Sequence, residues 1–219
     1  MGNYNKKTSV KTDDIYDIAS ITKISATLLA LMKLQDEGKF SLNDSLKDYL
    51  SYLIPDSSLY GDLGLREILA HQSGLQAWVP FYIKTLYHKE LDNMIYCKDS
   101  TNFFPYRVCE DVYINQFYPD IIYKRILKGP LKKKEYKYSD LGYYFMKKIV
   151  EEQSGIPLDK YVASIYADMG MTTTGYNPLY RFPLERIPPT EDDQIFRKKL
   201  IHGDVHDPGA AMLGGVGGH

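Results

Sequence analysis

The sequence predicts a globular, predominantly helical fold. Three observations carry this. Apolar residues recur at helical spacing in several stretches that end in capping or stop residues. Very few segments alternate as strands do. The composition, 44% hydrophobic and 25% charged, is that of an ordinary globular domain. At 219 residues the chain can form one domain, or a domain with a small appended lobe, around a sizeable core.

Between residues 20 and 37, Ile24, Thr27, Leu28, Leu31, Met32 and Leu34 recur at steps of three and four, which predicts a helix with one buried side. Asp17 or Ser20 can cap its start, and Gly38 supplies the positive φ that commonly ends a helix. Residues 42–53 and 65–70 read as two short helices, the first capped by Asn43 and the second followed by a Ser73-Gly74 turn. Residues 76–137 are rich in Tyr and Phe, keep no period, and carry Pro80, Pro105, Pro119 and Pro130 as breakers; they are expected to be a variable insertion with short helices. A clear helix follows over 140–154, with Leu141, Phe145, Ile149 and Val150 on one face and Gly155 as its stop. Pro157 opens another, reaching about Met169. Beyond Gly170 turns dominate, as at Asn177-Pro178, Pro188-Pro189 and the glycine-rich end. Nothing repeats at a fixed period, which excludes solenoids and propellers.

Charge and hydropathy narrow the function. A formal net charge of -1 offers no attraction for a polyanion, and Lys132, Lys133 and Lys134 form a short cluster rather than a basic face, so no nucleic-acid partner is expected. No run approaches the ~20 apolar residues of a membrane span, and the polar residues 1–11 do not read as a signal peptide. Cys97 and Cys109 are too few for a disulfide framework and lie in no metal-ligand spacing.

The chemistry concentrates at Ser20-Ile21-Thr22-Lys23. A hydroxyl on the first turn of an apolar helix and an amine three residues on project from the same side. A lysine within reach of a serine can take its proton and turn a weak nucleophile into an effective one, and the helix start favours negative charge developing nearby. The same spacing is also that of a capping serine with a solvated lysine, and about one such spacing is expected by chance in a chain of this length.

The surroundings of the motif add a resemblance. Residues 15–23, with the apolar helix and Leu34-Gln35-Asp36-Glu37-Gly38-Lys39 that follow, resemble the active-site helix of the β-lactamase-related serine hydrolases: class C β-lactamases, D-alanyl-D-alanine carboxypeptidases and family VIII carboxylesterases. Leu69-Ala70-His71-Gln72-Ser73-Gly74-Leu75 is similar to their His-Thr-Ser-Gly-Leu turn, and Tyr136-Lys137-Tyr138-Ser139-Asp140 to their Tyr-x-Asn motif, with Asp140 in place of the usual Asn. Met171, Thr174-Gly175-Tyr176-Asn177-Pro178, Gly203-Asp204-Val205-His206-Asp207 and Leu213-Gly214-Gly215-Val216-Gly217-Gly218-His219 resemble later stretches in the same order, His219 matching the start of the His-x-Gly motif.

The resemblance implies an α+β fold of β-lactamase/transpeptidase type, represented here mostly by its helices, with much of the central antiparallel sheet missing. It implies acyl transfer to Ser20, with Lys23 beside it and Tyr138 relaying the proton to the leaving group. Asp140 would pair with Lys23, favouring ester or peptide substrates over β-lactams, or would simply cap the helix it precedes. His219 would border the substrate, next to the strand that supplies one oxyanion-hole amide, the other coming from Ser20. A small molecule or a cell-wall peptide is the implied substrate, no cofactor is needed, and a periplasmic or extracytoplasmic bacterial setting follows. Some members of this family are fused to a glycoside hydrolase domain. A chain lacking much of its sheet would expose apolar helix faces, so self-association is a further expectation.

Two other readings compete. His202, Asp204, His206 and Asp207 could bind a metal, although on a turn the His-x-x-x-His spacing does not fix both rings on one face. The chain could also be a catalytically impaired or non-catalytic binding module of the same fold.

Overall fold

The structure, a computed structural model, describes residues 9–214. It divides into two compact units: Lys23–Val79 with Asp120–Gly170, and Met1–Thr22 with Pro80–Pro119 and Met171–His219. No helix among the described residues is long and apolar enough to cross a membrane.

The first of these units is helical. Lys23–Leu28 forms a π-helical turn that runs into α1 (Leu29–Asp36). The wider π turn shifts the helical phase, so Ile24 lies exposed while Thr27, Ala30, Leu31 and Leu34 are buried. Met32, expected on the buried side, is exposed as well. The π turn disturbs the ladder of backbone bonds, and the Ser25 carbonyl is taken up by the Tyr166 hydroxyl at 2.9 Å. Next come α2 (Leu46–Leu50) and α3 (Leu65–Leu69). The cap of α2 is Ser45 rather than Asn43: the Asp48 carboxylate accepts the Ser45 N–H at 2.8 Å, so the capping-box spacing prevails over a lone Asn two residues earlier. Helix α4 (Tyr118–Leu127) precedes α5 (Leu141–Ser154) and α6 (Leu158–Asp168).

Helix α5 is the centre of this unit, packed by α1, α2, α3 and α6. That is why its first two turns are buried nearly all round, from Leu141 to Met146, where a surface helix would keep one polar face. Gly142 permits the closest approach, since a Cβ there would stand 2.6 Å from Ile68 Cγ2 of α3. Gly155, at φ 70°, ends α5 as its sequence position predicts.

The other unit holds the strands. β1 (Leu86–Tyr87) and β2 (Glu90–Leu91) form a hairpin. Its turn residues, His88 and Lys89, both have positive φ, as a two-residue hairpin loop demands. β3 (Tyr96–Cys97), β4 (Tyr106–Cys109) and β5 (Val112–Ile114) form an antiparallel sheet in the order β3-β5-β4. β6 (Glu191–Asp193) pairs with β7 (Lys199–Ile201), and α7 (Pro208–Leu213) is capped by the Asp207 carboxylate, 2.6 Å from the Ala210 nitrogen. The composition of residues 76–137 points to short helices, whereas the structure has five short strands there beside α4. Runs of two to four residues are too short to show alternation, and a left-handed Asp111 makes the β4–β5 turn without a glycine to announce it.

A buried guanidinium organises the C-terminal part. Arg197, whose side chain is fully buried, meets Asp193 Oδ2 at 2.8 Å and donates to the carbonyls of Val205 and His206, each at 2.6 Å. Asp193 also accepts the N–H groups of Ile195, Phe196 and Arg197. Burial pushes its carboxyl up, but Arg197 and these amides outweigh it and hold Asp193 below the usual carboxylate range.

The fold is α+β, with helices predominating and three small sheets of two, three and two strands among the described residues. No large antiparallel sheet occurs among them.

Candidate active site

Lys23 opens the π turn and is 3% exposed, so its amine must find partners inside the protein. The Asp140 carboxylate meets it at 2.6 Å. The ring centroids of Tyr138 and Tyr143 lie 5.3 and 5.7 Å from Nζ, within cation–π range. Asp140 stands directly before α5, yet its side chain makes no capping bond to that helix. Between its two readings, capping carboxylate and partner of Lys23, the geometry has the second.

The segment bearing Tyr138 and Asp140 is stitched to the turn after α3. Gly74 and Lys132 are joined by a 2.7 Å backbone bond; the Lys137 N–H donates to the His71 carbonyl, the Ser139 hydroxyl to the Gln76 carbonyl and the Asp140 N–H to the Ala77 carbonyl. The approach is so close that a Cβ on Gly74, at φ 80°, would lie 2.4 Å from the Lys132 carbonyl oxygen. Glycine is required there on both counts.

His71 is a participant that the sequence motif did not single out as a site residue. Its Nδ1 accepts the Ser139 N–H at 3.1 Å, so that nitrogen carries no proton. Its ring lies 4.5 Å from Tyr138 and 5.6 Å from Tyr143, centroid to centroid. Burial first, then the charge of Lys23, push the imidazole below its ordinary value against the opposing pull of Asp140. His71 itself has a left-handed backbone, φ 57°, which turns the chain toward Ser139. The His-Gln-Ser-Gly-Leu stretch was the signal available for it; Tyr143, one tyrosine among 20, had none.

Ser20 belongs to the other unit, where it is exposed on a single 3-10 turn (Ala19–Ile21). The residue before it, Ala19, takes a left-handed φ of 48°, rare for a residue with a Cβ. Asp17, weighed with Ser20 as a cap for the helix that follows, has its Oδ1 on the Ala19 N–H at 2.8 Å. His219 lies outside the described residues.

The Beta-lactamase family profile matches residues 1–186. This chain belongs to the β-lactamase family. Among curated proteins of the family, one of Escherichia coli O157:H7 named "Putative D-alanyl-D-alanine carboxypeptidase" is 32% identical over 95% of this chain and 47% of its own length. The chain thus spans about half the length of the curated relatives it matches. Among solved structures, the octameric penicillin-binding protein homologue from Pyrococcus abyssi superposes with a TM-score of 0.59 at 21% identity, over 95% of this chain and 42% of that one. A class C β-lactamase superposes with a TM-score of 0.55 at 16% identity, over 90% and 48%. These likenesses show the β-lactamase/penicillin-binding fold that the sequence motifs implied.

Within this β-lactamase-family chain the four residues weighed as metal ligands go separate ways. His202 Nε2 contacts the carbonyls of Leu184 and Ile187, Asp204 binds Arg107 through both oxygens at 2.9 and 3.0 Å, His206 meets Asp17 and Asp207 caps α7. No group of three or more such ligands forms a cluster among the described residues.

Proposed function

We propose that this polypeptide supplies the acyl-accepting serine and the proton-handling residues of a serine hydrolase acting on D-alanyl peptides or esters. The supporting observation is the buried Lys23 amine, paired with Asp140 at 2.6 Å and set against the Tyr138 ring, three residues after Ser20. In this reading Ser20 Oγ attacks the substrate carbonyl, its proton passes to the Tyr138 oxygen, and Tyr138 returns a proton to the leaving amine or alcohol as the acyl bond breaks. Lys23 is the fixed positive charge beside that phenol. Water then hydrolyses the acyl-Ser20 ester by the reverse proton path. Asp140 bears on substrate choice: where a neutral amide could donate to a substrate carbonyl, a carboxylate only accepts. That favours D-alanyl peptides and esters over β-lactams, in line with the name of the curated relatives. His219 would lie beside the bound substrate. A D-alanyl peptide substrate would imply an extracytoplasmic setting.

The test is incubation of the complete gene product with a fluorophosphonate and, separately, a penicillin, followed by intact mass and peptide mapping. An adduct on Ser20 that disappears in Ser20→Ala and weakens in Lys23→Ala and Tyr138→Phe is the expected result. No adduct on the complete protein would falsify the enzymatic reading and leave a binding module of the same fold.

A further inference from the structure

The unit that carries Ser20 contains an acidic side chain with no part in the proton path just described. Asp17 has its side chain only 7% exposed, yet it spends both oxygens on three donors. Oδ1 takes the Ala19 N–H at 2.8 Å. Oδ2 takes the His206 backbone N–H at 3.0 Å and His206 Nδ1 at 2.8 Å. The residue so held, Ala19, is the one whose φ of 48° is sterically unfavourable for alanine. That angle sets the direction in which the chain enters the turn bearing Ser20, which is closed by the Ile21 N–H on the Ile18 carbonyl at 3.1 Å and by the Thr22 N–H on the Ala19 carbonyl. Strain of this kind persists only where neighbours enforce it, and a buried carboxylate anchored from a residue 189 positions away is such an enforcement.

We infer that Asp17, anchored by His206, is the positioning residue that holds Ala19 in its left-handed conformation and so aims the Ser20 hydroxyl. Burial pushes the Asp17 carboxyl up, but the bonds from His206 and Ala19 outweigh it and leave the group below its ordinary range; the Asp17 bond in turn raises His206, with Asp207 and Glu191 adding to it against burial. The clamp thus favours the charged form of each partner, with Arg197 holding the His206 carbonyl at 2.6 Å. This inference rests on Ser20 being the acyl acceptor, and it assigns His206 a structural anchor role rather than that of the metal ligand weighed as a competing reading.

The experiment measures the rate of Ser20 phosphonylation, and kcat and KM on a D-alanyl peptide, in the complete protein and in Asp17→Ala, Ala19→Gly and the double variant. Asp17→Ala is expected to lose about 10- to 100-fold in labelling rate and kcat, since a misplacement of about 1 Å costs that order, with KM held within about twofold. Ala19→Gly alone relieves the backbone and keeps the clamp; it is expected to label at the native rate and melt about 2–4 °C higher. Added to Asp17→Ala, it restores part of the lost rate, because glycine takes the required φ unaided. Should Asp17→Ala fail to fold, folding and labelling must return together in the double variant. Native-rate labelling by Asp17→Ala, or a lower melting temperature for Ala19→Gly, overturns the inference while leaving Ser20 as nucleophile. Absence of any Ser20 adduct in the unmutated protein overturns both.

Discussion

Two glycines of the helical unit share a backbone angle and differ only in what surrounds them, which makes Gly74→Ala and Gly155→Ala a matched pair. Gly74 has φ 80° and Gly155 φ 70°, so alanine at either place costs about 1 kcal/mol of backbone strain. At Gly155 nothing lies within 4 Å of the new methyl group, and the cost stops there. At Gly74 the methyl would stand 2.4 Å from the Lys132 carbonyl oxygen, so the backbone of residues 132–138 must withdraw. Withdrawal breaks the 2.7 Å Lys132–Gly74 bond, worth about 1 kcal/mol, and loosens the neighbouring bonds to His71 and Gln76. Gly74→Ala should therefore cost about 2–3 kcal/mol against about 1 for Gly155→Ala, read from urea unfolding of the complete protein. The same shift moves Tyr138 and Asp140, so Ser20 labelling should slow in Gly74→Ala by about tenfold or more and stay native in Gly155→Ala. Equal stability losses would refute the close-approach argument. A destabilised Gly74→Ala that labels at the native rate would show that the stitched segment does not position the reacting groups.

Two further outcomes are expected. Asp140→Ala removes the carboxylate that meets the buried Lys23 amine and should cost about 2–4 kcal/mol, a little under the usual cost of breaking a buried pair because Asp140 keeps some water contact; Lys23→Met with Asp140→Leu should be near-native in stability and devoid of Ser20 labelling. The Asp17–His206 pair should show its largest stabilisation, measured as native minus Asp17→Ala in unfolding titrations, between about pH 4 and about pH 6.5. The lowered Asp17 contributes above the unfolded carboxylate value and is lost as pH falls through its folded one, while the raised His206 contributes fully below the unfolded imidazole value and is lost as pH rises through its folded one.

The helices were legible because their signals are local. Leu141 to Val150 with Gly155 behind them specify α5 and its end within a single stretch of chain, and the ordered motifs around Ser20, Tyr138 and Asp140 carry the family. What stayed hidden is of three kinds. The π turn at Lys23 cannot be told from an α turn by apolar spacing, which puts Ile24 on a buried face that it does not occupy; Met32, in the regular helix α1, is exposed as well. The strands β1 to β5 are too short for period-two alternation to emerge. Several partners of charged and polar groups are long-range: nothing near Asp17 points to His206, nothing near Arg107 to Asp204, and the tie of His71 to Ser139 spans 68 residues. Ionic and backbone bonds of this range are chosen by tertiary packing, which local pattern does not encode.

The Lys23 amine offers the strongest physical argument for chemistry in this chain. Burying an ammonium forfeits hydration worth several kcal/mol, and even a well-made ion pair seldom recovers more than an apolar side chain of equal volume would provide. The rings of Tyr138 and Tyr143 lie against the amine and Ala26 of the same turn is buried, material suited to that apolar alternative. Stability alone therefore does not account for a lysine here, nor for the carboxylate that must accompany it, nor for a segment held by five bonds to residues 71–77 to bring that carboxylate within 2.6 Å. The proposed proton relay through the half-exposed Tyr138 phenol against the same amine would account for them, because a charge beside such a relay is useful where a proton is to be moved.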